Sequence, residues 1–322
     1  MPDMEIHKTI IKFSAGGSDL SSRMHSGCLT LMAIMLLVSS PGFSQELEPR
    51  SLVNVPVGTN FAILGYGYAS GNVLLDPALP IEDLNAKMHS IVGAYVRSVN
   101  FLGMGAKANV ILPFAAGDWG GVYQGIDTVA ARTGMGDLRF GFSFNFAGSP
   151  ALKKDGFKDY MQKTIAGFGI QVVAPTGQYF DERLINLGSN RWAFRPQLGV
   201  SHKIKSWYLE YAANVWLFTT NNEFWDGKKL EQMPIGTFKV SVIKSFNKGI
   251  WASVGAGYAF GGRTYVNDVK RDMRISVIRL GAIIVVPVRP HHSLKLTAVT
   301  GQRFEQGADF DTIILTYQFM WN

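Results

Sequence analysis

The stretch Phe310 to Trp321, F-D-T-I-I-L-T-Y-Q-F-M-W before the final Asn322, constrains the fold more than any other. Side chains of a strand alternate between two faces. Ile313, Leu315, Tyr317, Phe319 and Trp321 therefore share one face, and Thr312, Ile314, Thr316, Gln318 and Met320 the other. The first face is apolar and ends in aromatics; the second is mixed. A soluble sandwich can use such a strand, but here it ends the chain on an aromatic residue. The alternative is the closing stave of a membrane cylinder, which requires matching staves elsewhere in the chain.

They are present. After residue 44 no window holds the ~18 uninterrupted apolar residues of a membrane helix. Instead, alternating segments of roughly the 9 to 11 residues needed by a tilted membrane strand recur between turn-forming residues. They are Asn60 to Ser70, Met88 to Asn100, Ala106 to Phe114, Asp137 to Phe146, Thr164 to Pro175, Arg191 to Lys203, Trp207 to Thr219, Ile235 to Phe246, Ile250 to Gly261, Ile275 to Pro287, Ser293 to Thr300 and Phe310 to Trp321. The connections alternate in length. Long ones run Gly71 to Lys87, Ala115 to Gly136, Thr176 to Asn190, Thr220 to Pro234 and Gly262 to Arg274, and short ones lie at Phe101 to Gly105, Ile204 to Ser206, Asn247 to Gly249 and Val288 to His292. Ala147 to Lys163 is long on the short side, and a turn of helix is expected at Lys158 to Gln162. Short turns on one side and longer loops on the other mark an all-β, transmembrane, antiparallel up-and-down β-barrel of about 12 strands.

The N-terminus fits that destination. Cys28 to Val38 is a short apolar run, preceded by Arg23 and His25 and followed by Ser39, Ser40, Pro41, Gly42, Phe43 and Ser44. This is the order of a signal peptide, with cleavage expected after Ser44, and the run is too short for a spanning anchor. Residues 1–44 are read as extension and leader, with Met1 or Met24 as initiator, and 45–322 as a single barrel. The one cysteine, Cys28, leaves with the leader, so the remainder has no thiol for a disulfide, metal or nucleophile. The leader's charges cancel, and the net +7 belongs to the mature part. Its basic residues are spread singly, which argues against nucleic acid as a partner.

Charge within a strand tells which face meets lipid, since a Lys or Arg at the bilayer midplane costs about 2 to 4 kcal/mol. Leu138, Phe140, Phe142, Phe144 and Phe146 are therefore expected outward, with Asp137, Arg139, Ser143 and Asn145 inward. Trp192, Phe194, Leu198 and Val200 go outward, opposite Arg195, Gln197, Ser201 and Lys203. The same rule sends Tyr95, Arg97, Lys107, Asn109, Glu210, Asn214, Lys239, Ser241, Arg279, Lys295 and Thr297 to the lumen. Gly65, Gly67, Gly93, Gly141, Gly167, Gly169, Gly199, Gly255, Gly257 and Gly281 fall on the inner face, where they relieve crowding or let the wall bend. The expected interior is polar and predominantly basic. Arg97, Arg139, Arg195, Lys239, Arg279 and Lys295 would set an anion preference, Asp137 and Glu210 would temper it, and Gln197 would share the lining. The bland alternative is that these charges pair and close the lumen.

Other chemistries find little support. The glycine-rich stretches Gly65 to Gly71 and Gly255 to Gly261 lack the G-x-G-x-x-G spacing and open no helix. His89, His202, His291 and His292 are scattered over strands and turns, so no metal or other cofactor is expected. His89 and Ser90 lie on opposite faces of a strand; His291 and Ser293 could share one, but lack an orienting partner for hydrolase chemistry.

Four blocks carry a family resemblance: L-E-P-R-S-L-V-N-V-P-V-G-T-N-F (Leu47 to Phe61), L-I-N-L-G-S-N-R-W-A-F-R-P-Q-L-G-V-S (Leu184 to Ser201), G-I-W-A-S-V-G-A-G-Y-A-F-G-G-R-T (Gly249 to Thr264) and G-A-D-F-D-T-I-I-L-T-Y-Q-F-M-W (Gly307 to Trp321). Together they resemble the outer-membrane transporter family labelled for the meta-pathway of phenol degradation. The resemblance implies a barrel in the bacterial outer membrane linked to uptake of aromatic compounds, with no functional residue carried over. The aromatic end of the last strand also resembles the signal read by the barrel-assembly machinery, although Asn322 leaves the aromatic penultimate. Expected partners are outer-membrane lipid, that machinery and a small-molecule solute, aromatic compounds or aromatic acids among them. The second reading is a structural or receptor-like barrel with a closed lumen, whose loops Ala115 to Gly136 and Thr220 to Pro234 bind partners.

Overall fold

All twelve expected staves are found, and several are longer than their alternation shows. The computed structural model describes residues 48–322, apart from 75–80, 124, 184, 226, 272–273 and 304–306. The expected leader lies outside the described residues. In chain order the strands are β1 (Asn60–Leu74), β2 (Ile81–Phe101), β3 (Met104–Tyr123), β4 (Ile126–Met135), β5 (Arg139–Ala147), β6 (Thr164–Val173), β7 (Ala193–Ile204), β8 (Trp207–Phe218), β9 (Asn221–Phe224), β10 (Lys228–Gln232), β11 (Ile235–Ser245), β12 (Trp251–Gly261), β13 (Thr264–Val266), β14 (Val269–Lys270), β15 (Ile275–Arg289), β16 (His292–Arg303) and β17 (Gly307–Trp321).

Every wall strand pairs antiparallel with its sequence neighbours in the wall, and β17 returns to pair with β1 from Leu74↔Gly307 to Asn60↔Trp321. β4 and β5 are one stave interrupted at residues 136–138: β4 pairs with the upper half of β3 and β5 with its lower half. The wall is therefore a closed barrel of twelve staves. Closure is what permits a sheet in lipid, where an unpaired backbone N–H or C=O has no water to turn to.

The faces follow the alternation. On β17, Ile313, Leu315 and Tyr317 are exposed outward, and Ile314, Thr316, Gln318 and Met320 line the interior. Phe140 and Phe146 face outward while Arg139 and Asn145 are buried. Rings gather at the end with the short turns: Phe101 meets Phe142 and Phe144, Phe144 meets Phe168, and Phe319 stacks on Trp321 at 5.3 Å. Such rings form the girdle at a membrane boundary. The short turns carry left-handed residues, Leu102, Lys205, Lys248 and His291, and by their brevity mark the periplasmic end.

Three expectations are corrected. The long connections Gly71 to Lys87 and Ala115 to Gly136 are largely strand, belonging to the tall hairpins β1–β2 and β3–β4. At about 3.3 Å per residue and a tilt near 40°, a strand of 21 residues rises roughly 50 Å, about twice the apolar band. Above lipid no face has to be apolar, so the alternation that reveals the lower halves is missing from the upper ones. Likewise Thr220 to Pro234 and Gly262 to Arg274 contain the separate sheet β14-β13-β10-β9, built around Phe224, Leu230 and Val266. The helical turn between β5 and β6 is a 3-10 turn at Asp155–Phe157, just before the expected Lys158 to Gln162.

A cation on the lipid face measures the depth of this arrangement. Leu315→Arg, on the outward face of β17, is expected to lower the unfolding free energy by about 2 to 4 kcal/mol, with Thr316→Arg, on the cavity side, costing less. Urea unfolding in phospholipid vesicles checks both values, and equal costs would contradict the assigned faces.

Candidate functional site

Inside the barrel is a cavity of about 920 Å³ whose wall has two unlike halves. β1, β2 and β17 present Phe61, Ile63, Val92, Val96 and Ile314. β6, β7, β11 and β15 present Gln171, Arg195, Gln197, Lys239 and Arg279. The expectation of a polar, predominantly basic interior thus holds for one side only. Charge in a strand is conspicuous in a sequence, but an inward Val, Ile or Phe is indistinguishable from an outward one until the register is known. Trp216, Ile235, Ile275 and Val277 add an apolar collar at the outer end, packed with Val173 and Ala193.

The expected lining residues divide into three groups. Arg195, Gln197, Lys239, Arg279 and Lys295 line the cavity. Glu210, Asp137 and Arg139 are inside the wall but committed elsewhere. Glu210 accepts hydrogen bonds from the Arg50 backbone N–H at 2.9 Å and the Ser201 hydroxyl at 2.7 Å. Asp137 accepts from the Gly177 N–H at 2.8 Å, the Ser189 N–H at 2.8 Å and the Ser189 hydroxyl at 2.6 Å, so it ties down the 174–192 connection. Arg139, 6% exposed, lies in the wall beside Asp137.

Arg97 is the correction: it and Tyr95 are exposed on the outer face, and Val92, Ala94 and Val96 are the cavity side of β2. Tyr95 meets Trp321 at 6.1 Å and donates to Asn60, which places this pair of residues in the periplasmic girdle. There a cation costs only about 0 to 1 kcal/mol, so the charge rule loses its force at a strand's end. Gly93, opposite outward Leu64, faces the same way.

A segment with no alternating pattern occupies the periplasmic end of the lumen. Residues 48–58 precede β1, turn inward and are held from several staves. Lys107 Nζ donates to the carbonyls of Ser51 and Val53 at 2.6 and 2.8 Å. Asn145 donates to the Leu52 carbonyl, and Asn54 to that of Pro150. Arg50 places its guanidinium 5.0 Å from the Tyr208 ring and 5.6 Å from that of Trp251. Lys295 Nζ lies 2.8 and 2.7 Å from the two Glu48 oxygens. The roles of Lys107 and Lys295 as anchors for this segment are not visible in the sequence, because their partners are backbone carbonyls and a residue 247 positions away.

Burial pushes the Glu48 carboxyl up, but the charge and hydrogen bond of Lys295, with a smaller pull from Lys239, outweigh it, and the group sits below the ordinary carboxylate value. A depressed carboxyl stabilises the docked segment above its undocked pKa. That contribution is lost as pH falls through the lowered value.

The 174–192 connection folds against the outer mouth. Arg132 Nε donates to the Ile185 carbonyl, and Ile185 and Leu187 are buried. Where it passes the break in the β4/β5 stave, a Cβ on Gly177 would lie 2.8 Å from Asp137 N and from Gly188 Cα, so three backbones meet where a side chain has no room.

Of the serine–histidine pairs, His89 bonds the Tyr66 hydroxyl through Nδ1, while Ser90 donates inward to Gly67 O. His291 and Ser293 both reach the cavity, but among the described residues no side chain hydrogen-bonds the His291 ring.

A closed antiparallel barrel with one oily outer face, an aromatic girdle and an internal segment is a transmembrane β-barrel of the outer-membrane type. The family model described as "Putative MetA-pathway of phenol degradation" matches residues 71–309, and the chain belongs to that family. No curated protein sequence matches. Among solved structures, the COG4313 outer membrane channel from Pseudomonas putida F1 is similar at TM-score 0.73 and 17% identity, over 86% of this chain and 100% of that one. The transport unit of the autotransporter AIDA-I from Escherichia coli follows at TM-score 0.51 and 10% identity, over 91% and 98%. At these identities the likeness is one of fold.

The docked segment yields a pH test. As pH falls below the ordinary carboxylate range and through the lowered value of Glu48, single-channel conductance of the protein is expected to rise as the Glu48–Lys295 link is lost. Among the described residues, the other charged groups around the segment include Arg50, Lys107, Lys239 and Glu210, so Glu48→Gln identifies the origin: it should conduct more than the parent at pH 7 and show less change on acidification. An unaltered pH response in Glu48→Gln would remove Glu48 from this role.

Proposed function

We propose that the protein is a passive channel of the bacterial outer membrane that admits small solutes, single-ring aromatic compounds among them. The observation that carries this reading is the cavity of about 920 Å³, apolar on one side and basic on the other, enclosed by a wall whose outside is made for lipid. An apolar surface lowers the cost of stripping water from a ring, and fixed positive charge attracts anions. The neighbour named as an outer membrane channel and the family's link to phenol degradation support the same direction. No chemical step belongs to this mechanism: the protein's work is to shape a path and set its potential. The chain would reach its membrane through cleavage after Ser44, and β17 with its aromatic end would serve as the handle for the assembly machinery.

Lys239 and Arg279 stand in register across Gly257 and face the cavity, which makes them the best placed charges for selectivity. Reconstituted channels are expected to favour anions in a salt gradient, with Lys239→Glu combined with Arg279→Glu reversing the sign of the reversal potential. Liposome swelling over a panel of phenols, aromatic acids and sugars tests the solute class. Faster entry of sugars than of aromatic solutes of equal size would overturn the reading, and zero conductance by the folded protein would favour a closed, receptor-like barrel.

A further inference from the structure

The periplasmic rim carries a charged surface that the channel reading leaves unused. Basic residues stand far apart along the sequence, and the fold gathers them there. The connection between β5 and β6 carries Lys153, Lys154, Lys158 and Lys163, all exposed. Next round the wall, the β7–β8 turn carries Lys203 and Lys205, and the β11–β12 turn Lys244 and Lys248. Backbone hydrogen bonds hold these connections edge to edge: the Lys203 N–H donates to the Lys163 carbonyl at 2.9 Å, and the Ser245 N–H to the Ser206 carbonyl at 2.8 Å.

Little on the protein neutralises this sector. Its exposed acids are Asp155 and Asp159, and among the described residues none of its lysines forms a salt bridge. The rest of the rim is sparser, with Arg289 at the β15–β16 turn and Arg97 near the end of β2. Like charges gathered within a Debye length of one another repel, and an anionic surface laid against them removes that cost.

The apolar residues of the sector decide what that surface is. Met161, Ile204, Trp207 and Phe246 stand among the lysines and are 79%, 54%, 48% and 51% exposed. Lys244 shows how the two kinds of side chain combine. It is in register with Trp207 on the outward face, its Nζ lies 4.6 Å from that ring's centre, and it donates to the Ser206 hydroxyl at 2.7 Å. A stem laid on a ring at the membrane boundary, with the ammonium turned to the wet end, is the posture of a cation at headgroup height. Lys205 and Lys248 extend the charge from the tips of their turns. A soluble acidic partner could pair with the lysines but would gain nothing from side chains that already face lipid. An anion that carries acyl chains satisfies both, with its phosphate among the ammonium groups and its chains on Ile204, Trp207 and Phe246.

We propose that the periplasmic rim between the β5–β6 and β11–β12 connections is a docking surface for the phosphate headgroups of anionic phospholipids in the periplasmic leaflet. The inference rests on the membrane placement contained in the channel reading and needs no open lumen.

The test is native mass spectrometry of the full mature protein, titrated in detergent with phosphatidylglycerol and with zwitterionic phosphatidylcholine of the same chains. Phosphatidylglycerol is expected to bind at least tenfold more tightly. Lys205 and Lys248 have left-handed backbone, φ 55° and 58°, which Asn tolerates, so Lys205→Asn combined with Lys248→Asn removes charge without straining the turns. A surface cation is worth roughly fivefold in affinity for anionic lipid. The double variant should therefore weaken phosphatidylglycerol at least tenfold and leave phosphatidylcholine within twofold. Lys87→Gln with Arg274→Gln, which takes the same charge from the outer end, should change neither, and excess glycerol phosphate, which has no chains, should not displace the lipid. Should the Asn variant lose the heat-modifiable gel shift of a folded barrel, Lys153→Gln with Lys154→Gln takes its place. Equal binding of the two lipids, phosphatidylglycerol binding untouched by the rim variants, an equal loss in the outer-end pair, or displacement by glycerol phosphate overturns the docking surface. The expected lipid preference in a protein that carries no current upholds the surface and overturns the channel instead.

Discussion

Everything in this molecule depends on the backbone ladder between its first and last wall strands. β1 and β17 pair over their whole lengths, and without that pairing two edges of unsatisfied N–H and C=O groups would face lipid, each group costing several kcal/mol. The ladder also sets where the chain begins relative to the lumen. Since β1 starts at the periplasmic rim, the residues before it emerge at the mouth of the cylinder. Thr59 at that rim donates its hydroxyl to Pro56 O, and the same oxygen lies 3.1 Å from the Asn322 side-chain amide, so the two ends of the barrel are tied where the N-terminal segment turns inward.

What the cylinder encloses follows from a second constraint. A barrel of this width has an interior that side chains must either fill or leave open. Here the filling is uneven. The inserted segment closes much of the periplasmic end through polar bonds to Lys107, Asn145 and Lys295, and the collar around Trp216 narrows the outer end. Between them remains a space with an apolar side and a basic side.

The outer mouth uses different physics. Above the lipid, β1–β2 and β3–β4 continue as tall hairpins, and the small sheet of β9, β10, β13 and β14 builds its own core. The 174–192 connection is held there by a carboxylate, Asp137, and by the close approach of Gly177 to Gly188. Asp137 reads from the sequence as a lumen charge because it begins an alternating strand. Its actual role depends on which backbone N–H groups a distant loop brings to it.

The sequence by itself determined the class of fold, the twelve staves, the end carrying the short turns and the outward face of most strands. It could do so because lipid imposes a period of two on each strand that crosses it, a local signal written in residues such as Phe140, Phe142 and Phe144 or Ile313, Leu315 and Tyr317. Only the tertiary structure decided that Arg97 sits in the girdle, that half the lumen is apolar, and that residues 48–58 enter it. The physical reason is common to all three. Neither depth in the membrane, nor the meeting of strands around a cylinder, nor a hydrogen bond to a remote carbonyl leaves any periodic trace in the residues that take part.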